Sequence, residues 1–223
     1  MGPLETWAII KVSYNPGTNQ AAGGICGTAF FVSKNTFISA HHCFNSPVFI
    51  PNPGFSKVKV FLTNESGRII ENIAIDRLVP EYDLTVGRLN NQENADVLPT
   101  ESEFKVGDEV YNIGFPKDES LVKFNLKISN GKLKVDKVRV KAFQQSGTIK
   151  ATPIAMLSSN DINITGKQVI KLSYTSRRGF SGGPLILGGK VIGMMSLVIP
   201  SEYDPAQPAM AIRMADISKY VDF

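Results

Sequence analysis

Long apolar runs, histidine and cysteine are scarce in this chain, and each shortage narrows its chemistry. No apolar stretch approaches the roughly 18 residues of a membrane-spanning helix, although the chain runs to 223 residues. There is no basic start followed by a long apolar core and a small-residue cleavage site, so no secretory leader opens the sequence. Either the protein is made without one, or a leader lies beyond these residues; the second, with an extracytoplasmic or secreted destination, is the expectation. Internal repeats and low-complexity tracts are also absent. What is present, 43% hydrophobic and 20% charged residues, suits a globular protein with one large core or two small ones.

Charge is distributed unevenly. Seven bases (Lys123, Lys127, Lys132, Lys134, Lys137, Arg139, Lys141) face one acid, Asp136, between residues 121 and 141. That window carries +6 of a total of +4, leaving −2 elsewhere. A polyanion surface is one reading. The other starts from the polar–apolar alternation of 132–141, which describes a half-buried strand with a solvated outer face. Ser129-Asn130-Gly131 before it reads as a hairpin turn. Few aromatics interleave the bases, which argues against nucleic acid, and the strand reading is preferred.

Short apolar runs punctuated by Gly, Pro, Asn and Ser mark a strand-rich chain. Strands are expected near 7–13, 26–32, 35–40, 57–63, 68–79 and 84–89. After a polar connector from Asn90 to Asp108, they recur near 109–114, 121–128, 132–142, 148–156, 168–173, 184–188, 190–198 and 209–213. A short helix is expected over 214–221. Two groups of about six strands around that connector predict an all-β fold of two antiparallel barrels or sandwiches.

Gly179-Phe180-Ser181-Gly182-Gly183-Pro184 carries the strongest chemical signal. A serine between glycines presents its hydroxyl clear of the backbone, and the Gly179 and Ser181 N–H groups can both face a developing oxyanion. Serine needs a base and a carboxylate to orient that base. The only histidines are His41 and His42, both upstream of Ser181. The Gly-x-Ser-x-Gly elbow of α/β-hydrolases places its histidine after the serine, and nothing there can serve. The subtilisin order needs an aspartate before the histidine, and none precedes His41. Only the order His, Asp, Ser survives.

At Cys26-Gly27-Thr28-Ala29-Phe30-Phe31-Val32, Ser33-Lys34-Asn35 and Thr36-Phe37-Ile38-Ser39-Ala40-His41-His42-Cys43, the chain resembles the histidine-bearing hairpin of chymotrypsin/trypsin-like serine peptidases. The resemblance assigns His42 as base, with His41 in the place of an alanine. Pro80-Glu81-Tyr82-Asp83-Leu84-Thr85-Val86 resembles the segment carrying the family's aspartate, which implies Asp83, with Asp76 as fallback. Val106 to Pro116, Gly189 to Ser196 and Ala209 to Ile212 resemble strands of the family's second barrel, closest to bacterial and viral branches, HtrA-like ones included. The resemblance implies an all-β fold of two six-stranded antiparallel barrels, over 1–100 and 101–223, with the active site between them.

Departures from that pattern matter too. Phe180 stands where digestive and clotting members carry the aspartate of the activation ion pair, and the start lacks Ile-Val-Gly-Gly, so activation by N-terminal cleavage is not expected. The resemblance implies a Cys26–Cys43 disulfide; the alternative is two buried thiols. A zinc site is disfavoured because one hairpin converges two His and two Cys poorly and leaves Ser181 unexplained. No metal or cofactor is expected. The substrate-binding residues implied are Thr175 at the floor of the primary pocket, and Ser196, Leu197 and Val198 as the strand pairing with an extended peptide. A small or medium uncharged residue is expected before the cut; Arg177 or Arg178 is the alternative, attracting an acidic one. The partner is thus a protein or peptide. A catalytically silent binding module and a viral polyprotein-processing protease are the competing functions. Asn64-Glu65-Ser66 and Asn163-Ile164-Thr165 fit glycosylation sequons.

Overall fold

Trp7-Ala8-Ile9-Ile10-Lys11-Val12 is apolar at successive positions, and the computed structural model shows why. It describes residues 5–90, 95–155, 164–196 and 208–221. In it β1 (Trp7–Asn15) is buried on both faces. Successive strand side chains point to opposite sides. Trp7 and Ile9 enter a large core cluster to which both halves contribute, while Ala8, Ile10, Val12 and Tyr14 enter a separate cluster on the other side.

The first half is one antiparallel sheet of seven strands in the order β5-β4-β1-β2-β3-β7-β6. Its members are β2 (Gln20–Phe31), β3 (Thr36–Ala40), β4 (Lys57–Thr63), β5 (Ile69–Ile70), β6 (Ile73–Val79) and β7 (Leu84–Leu89). This is a half-barrel, where a closed six-stranded barrel was expected. The expected strand over 68–79 is broken at Glu71-Asn72 into β5 and β6. β2 starts six residues before its expected position, as Ala21 to Gly24 pair with β1 although their small side chains leave no apolar alternation.

The second half is a closed six-stranded barrel, β11-β12-β15-β14-β13-β8. It is built from β8 (Glu109–Gly114), β11 (Phe143–Ala151), β12 (Val169–Leu172), β13 (Pro184–Leu187), β14 (Lys190–Met195) and β15 (Met210–Arg213), and α1 (Met214–Ile217) follows. β11 begins at Phe143 because polar Gln144-Gln145-Ser146 pair with β8, a register that period-two apolarity does not reveal. The expected strands over 148–156 and 190–198 end early, β11 at Ala151 with an isolated bridge from Ile154 to Gln168 beyond it, and β14 at Met195; residues 156, 197 and 198 fall outside the described residues. The β13–β14 turn is Gly188-Gly189, with φ of 56° and 84°, as a two-residue hairpin with positive φ at both positions requires.

Between β8 and β11 a two-stranded ribbon, β9 (Lys123–Ser129) and β10 (Lys132–Arg139), leaves the barrel. Asn130 and Gly131 close it with φ of 51° and 70°, the expected hairpin turn. Its inner side chains, among them Leu126, Leu133, Val135 and Val138, pack with Ile10, Val12 and Phe61 of the first half. This second apolar cluster, like the main core, joins the halves, and it covers the outer side of β1. The basic residues form the solvated face, where Lys134 lies directly opposite Lys127 and Arg139 opposite Lys123. Asp136 relieves part of this repulsion, 3.2 Å from Lys127. Like charges directly opposed across strands are unfavourable, so Lys134→Glu is expected to stabilise the fold by about 0.5 kcal/mol. A rise in the urea midpoint that shrinks at high salt is the predicted signature.

Candidate active site

Strand register brings the histidines to the aspartate. β3 and β7 are antiparallel with Ala40 opposite Leu84 and Ser39 opposite Thr85. One step further along that ladder puts His41 beside Asp83, and the His41 N–H donates to the Asp83 carbonyl at 2.8 Å. A 3-10 turn over His41–Cys43 then folds His42 back over the strand end. Asp83 closes the turn before β7 in a left-handed conformation, φ 46°, which aspartate tolerates better than most residues.

The Asp83 carboxylate is fully buried and surrounded by donors. His42 Nδ1 lies 2.9 Å from Oδ2 and 3.0 Å from Oδ1. The His42 backbone N–H donates to Oδ1 at 3.1 Å, and the Ser196 hydroxyl to Oδ2 at 2.6 Å. Nδ1 therefore carries the proton in the neutral ring, leaving Nε2 as its basic nitrogen. Burial pushes the His42 pKa down. The neighbouring Cys43 sulfur and the Asp83 carboxylate, which accepts the Nδ1–H, outweigh it, so the group sits above its ordinary value. Asp76, the fallback, is engaged elsewhere in an ion pair with Arg88. His41 Nδ1 is buried with no partner among the described residues.

Ser181 lies in the turn leading into β13 and is buried. Four successive carbonyls of this loop are tied. Arg178 O accepts from Lys117 N at 2.8 Å, Phe180 O from Gly183 N at 2.9 Å and Ser181 O from Thr28 N at 2.9 Å; Gly179 O accepts from the Thr28 hydroxyl at 2.7 Å. Among the described residues neither the Gly179 nor the Ser181 N–H has an acceptor. Two neighbouring N–H groups without an acceptor in a buried turn are what an anion site needs. Gly179 has φ 97°, and a Cβ there would lie 2.1 Å from the Phe115 carbonyl oxygen, so only glycine fits. Phe180, uncharged where an ion pair was not expected, is fully buried, its ring against Gly114.

The first half reaches this loop through Thr28 and through Cys43, whose Sγ lies 3.7 Å from the Ser181 carbonyl oxygen. No hydrogen bond joins the Ser181 hydroxyl to the His42 ring among the described residues. Nucleophile–base bonds are often long until substrate engages.

The Cys26–Cys43 bridge implied by the resemblance is not formed; both thiols are free. Cys26 is the unpaired residue of a bulge, since Ile9 faces Gly27 and Ile10 faces Ile25. The Cys43 sulfur packs over Gly27, in the space a side chain there would fill. Burial, reinforced by Cys43, raises the Cys26 thiol to about 11, so it stays protonated and is a poor nucleophile.

The residues expected at the substrate cleft are placed unevenly. Thr175 is exposed, and its carbonyl accepts from the Gln145 amide at 3.1 Å. Ser196 is buried with its hydroxyl on Asp83 and its N–H on the Met210 carbonyl at 3.2 Å. Among the described residues no donor meets its carbonyl, the backbone group left for a ligand. Leu197, Val198 and Asn163 lie outside the described residues. Asn64 of the other sequon is buried, its amide oxygen accepting from the Ser66 hydroxyl and the Arg68 N–H and its nitrogen donating to Glu5, a poor posture for modification. Sequence reasoning missed Thr28 and the Ser196–Asp83 bond. A lone threonine beside Ala29-Phe30-Phe31 was the available signal for the first.

No curated protein matches this chain in sequence. Among solved structures it is similar to the Rv3671c protease from M. tuberculosis in its active form. That match has 18% identity and a TM-score of 0.61, covering 95% of this chain and 78% of that one. An inactive serine-to-alanine mutant of the same protease matches at 17% identity and a TM-score of 0.58, covering 95% and 83%. At such identities the likeness is one of fold. The family model of the trypsin-like peptidase domain matches residues 27–194, a span from the histidine hairpin through the serine loop and into β14. The chain belongs to the trypsin-like peptidase family.

Proposed function

We propose that the protein is a serine endopeptidase working through His42, Asp83 and Ser181. The observation that carries this reading is the buried Asp83 carboxylate clamped on His42 Nδ1, in a chain whose serine loop keeps two N–H groups without an acceptor among the described residues. Ser181 Oγ attacks the scissile carbonyl while His42 Nε2 takes its proton. Asp83 holds the ring in the Nδ1–H tautomer and stabilises the imidazolium. The Gly179 and Ser181 N–H groups bind the oxyanion, each such donor being worth about 3 kcal/mol in the transition state. His42 then protonates the leaving amine, and water attacks the acyl-enzyme by the reverse sequence. An extended substrate adds to the Ser196–Val198 segment as a strand, with an uncharged residue before the cut.

Because the base must be neutral to act, the raised His42 value shifts the acid limb of the pH profile upward. kcat/KM is expected to increase with pH through an inflection above the ordinary histidine value of about 6.5. An inflection at or below that value contradicts the electrostatics described for His42. A fluorophosphonate probe tests the function itself. An endopeptidase is modified at Ser181 and cleaves members of a peptide library, whereas a silent binding module does neither. Cleavage confined to sequences like the chain's own termini identifies a polyprotein-processing role.

A further inference from the structure

The loop 178–181 has no regular secondary structure, yet its N–H groups must hold their aim to a few tenths of an ångström. Thr28 on β2 supplies two of the four ties described above, one from its hydroxyl to Gly179 O and one from its N–H to Ser181 O. The same hydroxyl accepts from Phe115 N at 3.0 Å, so a single buried oxygen links the loop to the end of β8. The Thr28 carbonyl in turn accepts from the Ser39 hydroxyl at 2.7 Å, two residues before His41.

Peptide units are planar and trans, so a carbonyl fixed in one direction sends its N–H in the opposite one. Tying Arg178 O turns the Gly179 N–H away from Lys117, and tying Phe180 O does the same for the Ser181 N–H. The Thr28 ties hold the plane between these two and the plane after them. Without the hydroxyl, Gly179 O loses its donor. The Gly179–Phe180 plane, at a glycine with permissive torsions, is then free to rotate. Threonine suits the task because its branched Cβ restricts χ1 in a strand and aims the hydroxyl in advance. Phe180 is buried but uncharged and offers the loop no ion pair, so hydrogen bonding has to hold the backbone.

We infer that Thr28 is a positioning residue that keeps the two oxyanion donors aligned before substrate arrives, an inference that rests on the proposed peptidase function. Losing a whole oxyanion donor costs on the order of 10²- to 10³-fold in kcat. Misaiming both without removing either is expected to cost roughly 10- to 100-fold, by the same reasoning.

The test compares wild type with Thr28→Val, which keeps shape and removes the hydroxyl, and Thr28→Ser, which restores it. Thr28→Val is expected to lower kcat by that factor with KM nearly unchanged, to bind a peptide boronate correspondingly less tightly, and to leave the acid limb of the pH profile in place. Thr28→Ser is expected to recover most of kcat. Wild-type kcat in Thr28→Val overturns the inference, as does an equal loss in Thr28→Ser accompanied by a fall in melting temperature. Should Thr28→Val fail to fold, Ser39→Ala, which frees only the Thr28 carbonyl, is expected to lower kcat several-fold at constant KM; no change overturns the inference. If wild type neither cleaves nor labels, the peptidase reading is what fails. The positioning claim is then read from hydrogen exchange of the Gly179 and Ser181 amides. Faster exchange in Thr28→Val supports it, and identical exchange overturns it.

Discussion

Ser181→Ala is expected to lower peptidase turnover by on the order of 10⁶ while leaving the fold intact. The hydroxyl supplies the attacking oxygen, and the Cys43 sulfur nearby is buried against the Ser181 carbonyl oxygen. The Cys26 thiol is held protonated by burial. The loop around residue 181 is fixed by backbone bonds that alanine keeps, and its φ-sensitive positions are Gly179 and Gly182. A variant that melts like wild type, binds peptide with similar KM and turns over at background rate is the predicted result. Retained turnover in Ser181→Ala removes the serine mechanism.

Asp83→Asn carries the second largest effect, a fall of about 10⁴ in kcat by analogy with other triads of this kind. Both carboxylate oxygens accept hydrogen bonds, from His42 Nδ1, the His42 N–H and the Ser196 hydroxyl. An amide offers one oxygen and one NH₂. If the oxygen stays on the His42 backbone N–H, the NH₂ faces Nδ1 and forces that nitrogen to accept. The proton then moves to Nε2, the atom needed as base. The variant also removes the negative charge that favours imidazolium, so the acid limb should move down in pH as kcat falls. Stopped assays across pH separate these effects from unfolding. A loss of less than tenfold with an unmoved limb means that Asp83 does not orient the base.

Much of this site could be read from the chain because its constraints are local or arise from elimination. The order His, Asp, Ser follows from having two histidines, both early; the choice of His42 and Asp83 within it rests on the family resemblance, and the fold sets those two side chains 2.9 Å apart. The Asn130-Gly131 turn announces itself through residues that tolerate positive φ, whereas Gly188, expected in a strand over 184–188, stands with Gly189 in the next turn. The face assignments of β10 follow from period-two alternation, and the bases do lie outside.

What escaped notice was decided by contacts far apart in sequence. The Thr28 hydroxyl meets a carbonyl 151 residues away, and the Ser196 hydroxyl meets Asp83 across 113. Side-chain-to-backbone bonds of that kind leave no periodic trace. The open first sheet, the early start of β2 and the β11 boundary were missed for a related reason. Gly23, Gly24 and Gln144 to Ser146 join strands through backbone pairing with neighbours, without the apolar alternation by which strands are recognised. The disulfide expectation failed because sequence spacing does not specify where a sulfur points; Cys43 turns toward Gly27 and the Ser181 carbonyl.

A structure of the protein bound to a peptide boronate measures the central claim directly. The account predicts a covalent bond from Ser181 Oγ to boron and one boronate oxygen within hydrogen-bond reach of both the Gly179 and Ser181 N–H groups. It also predicts His42 Nε2 beside the tetrahedral centre, with Nδ1 still on Asp83. Boron bound elsewhere, or an imidazole of His42 turned away from Ser181 in the complex, contradicts it.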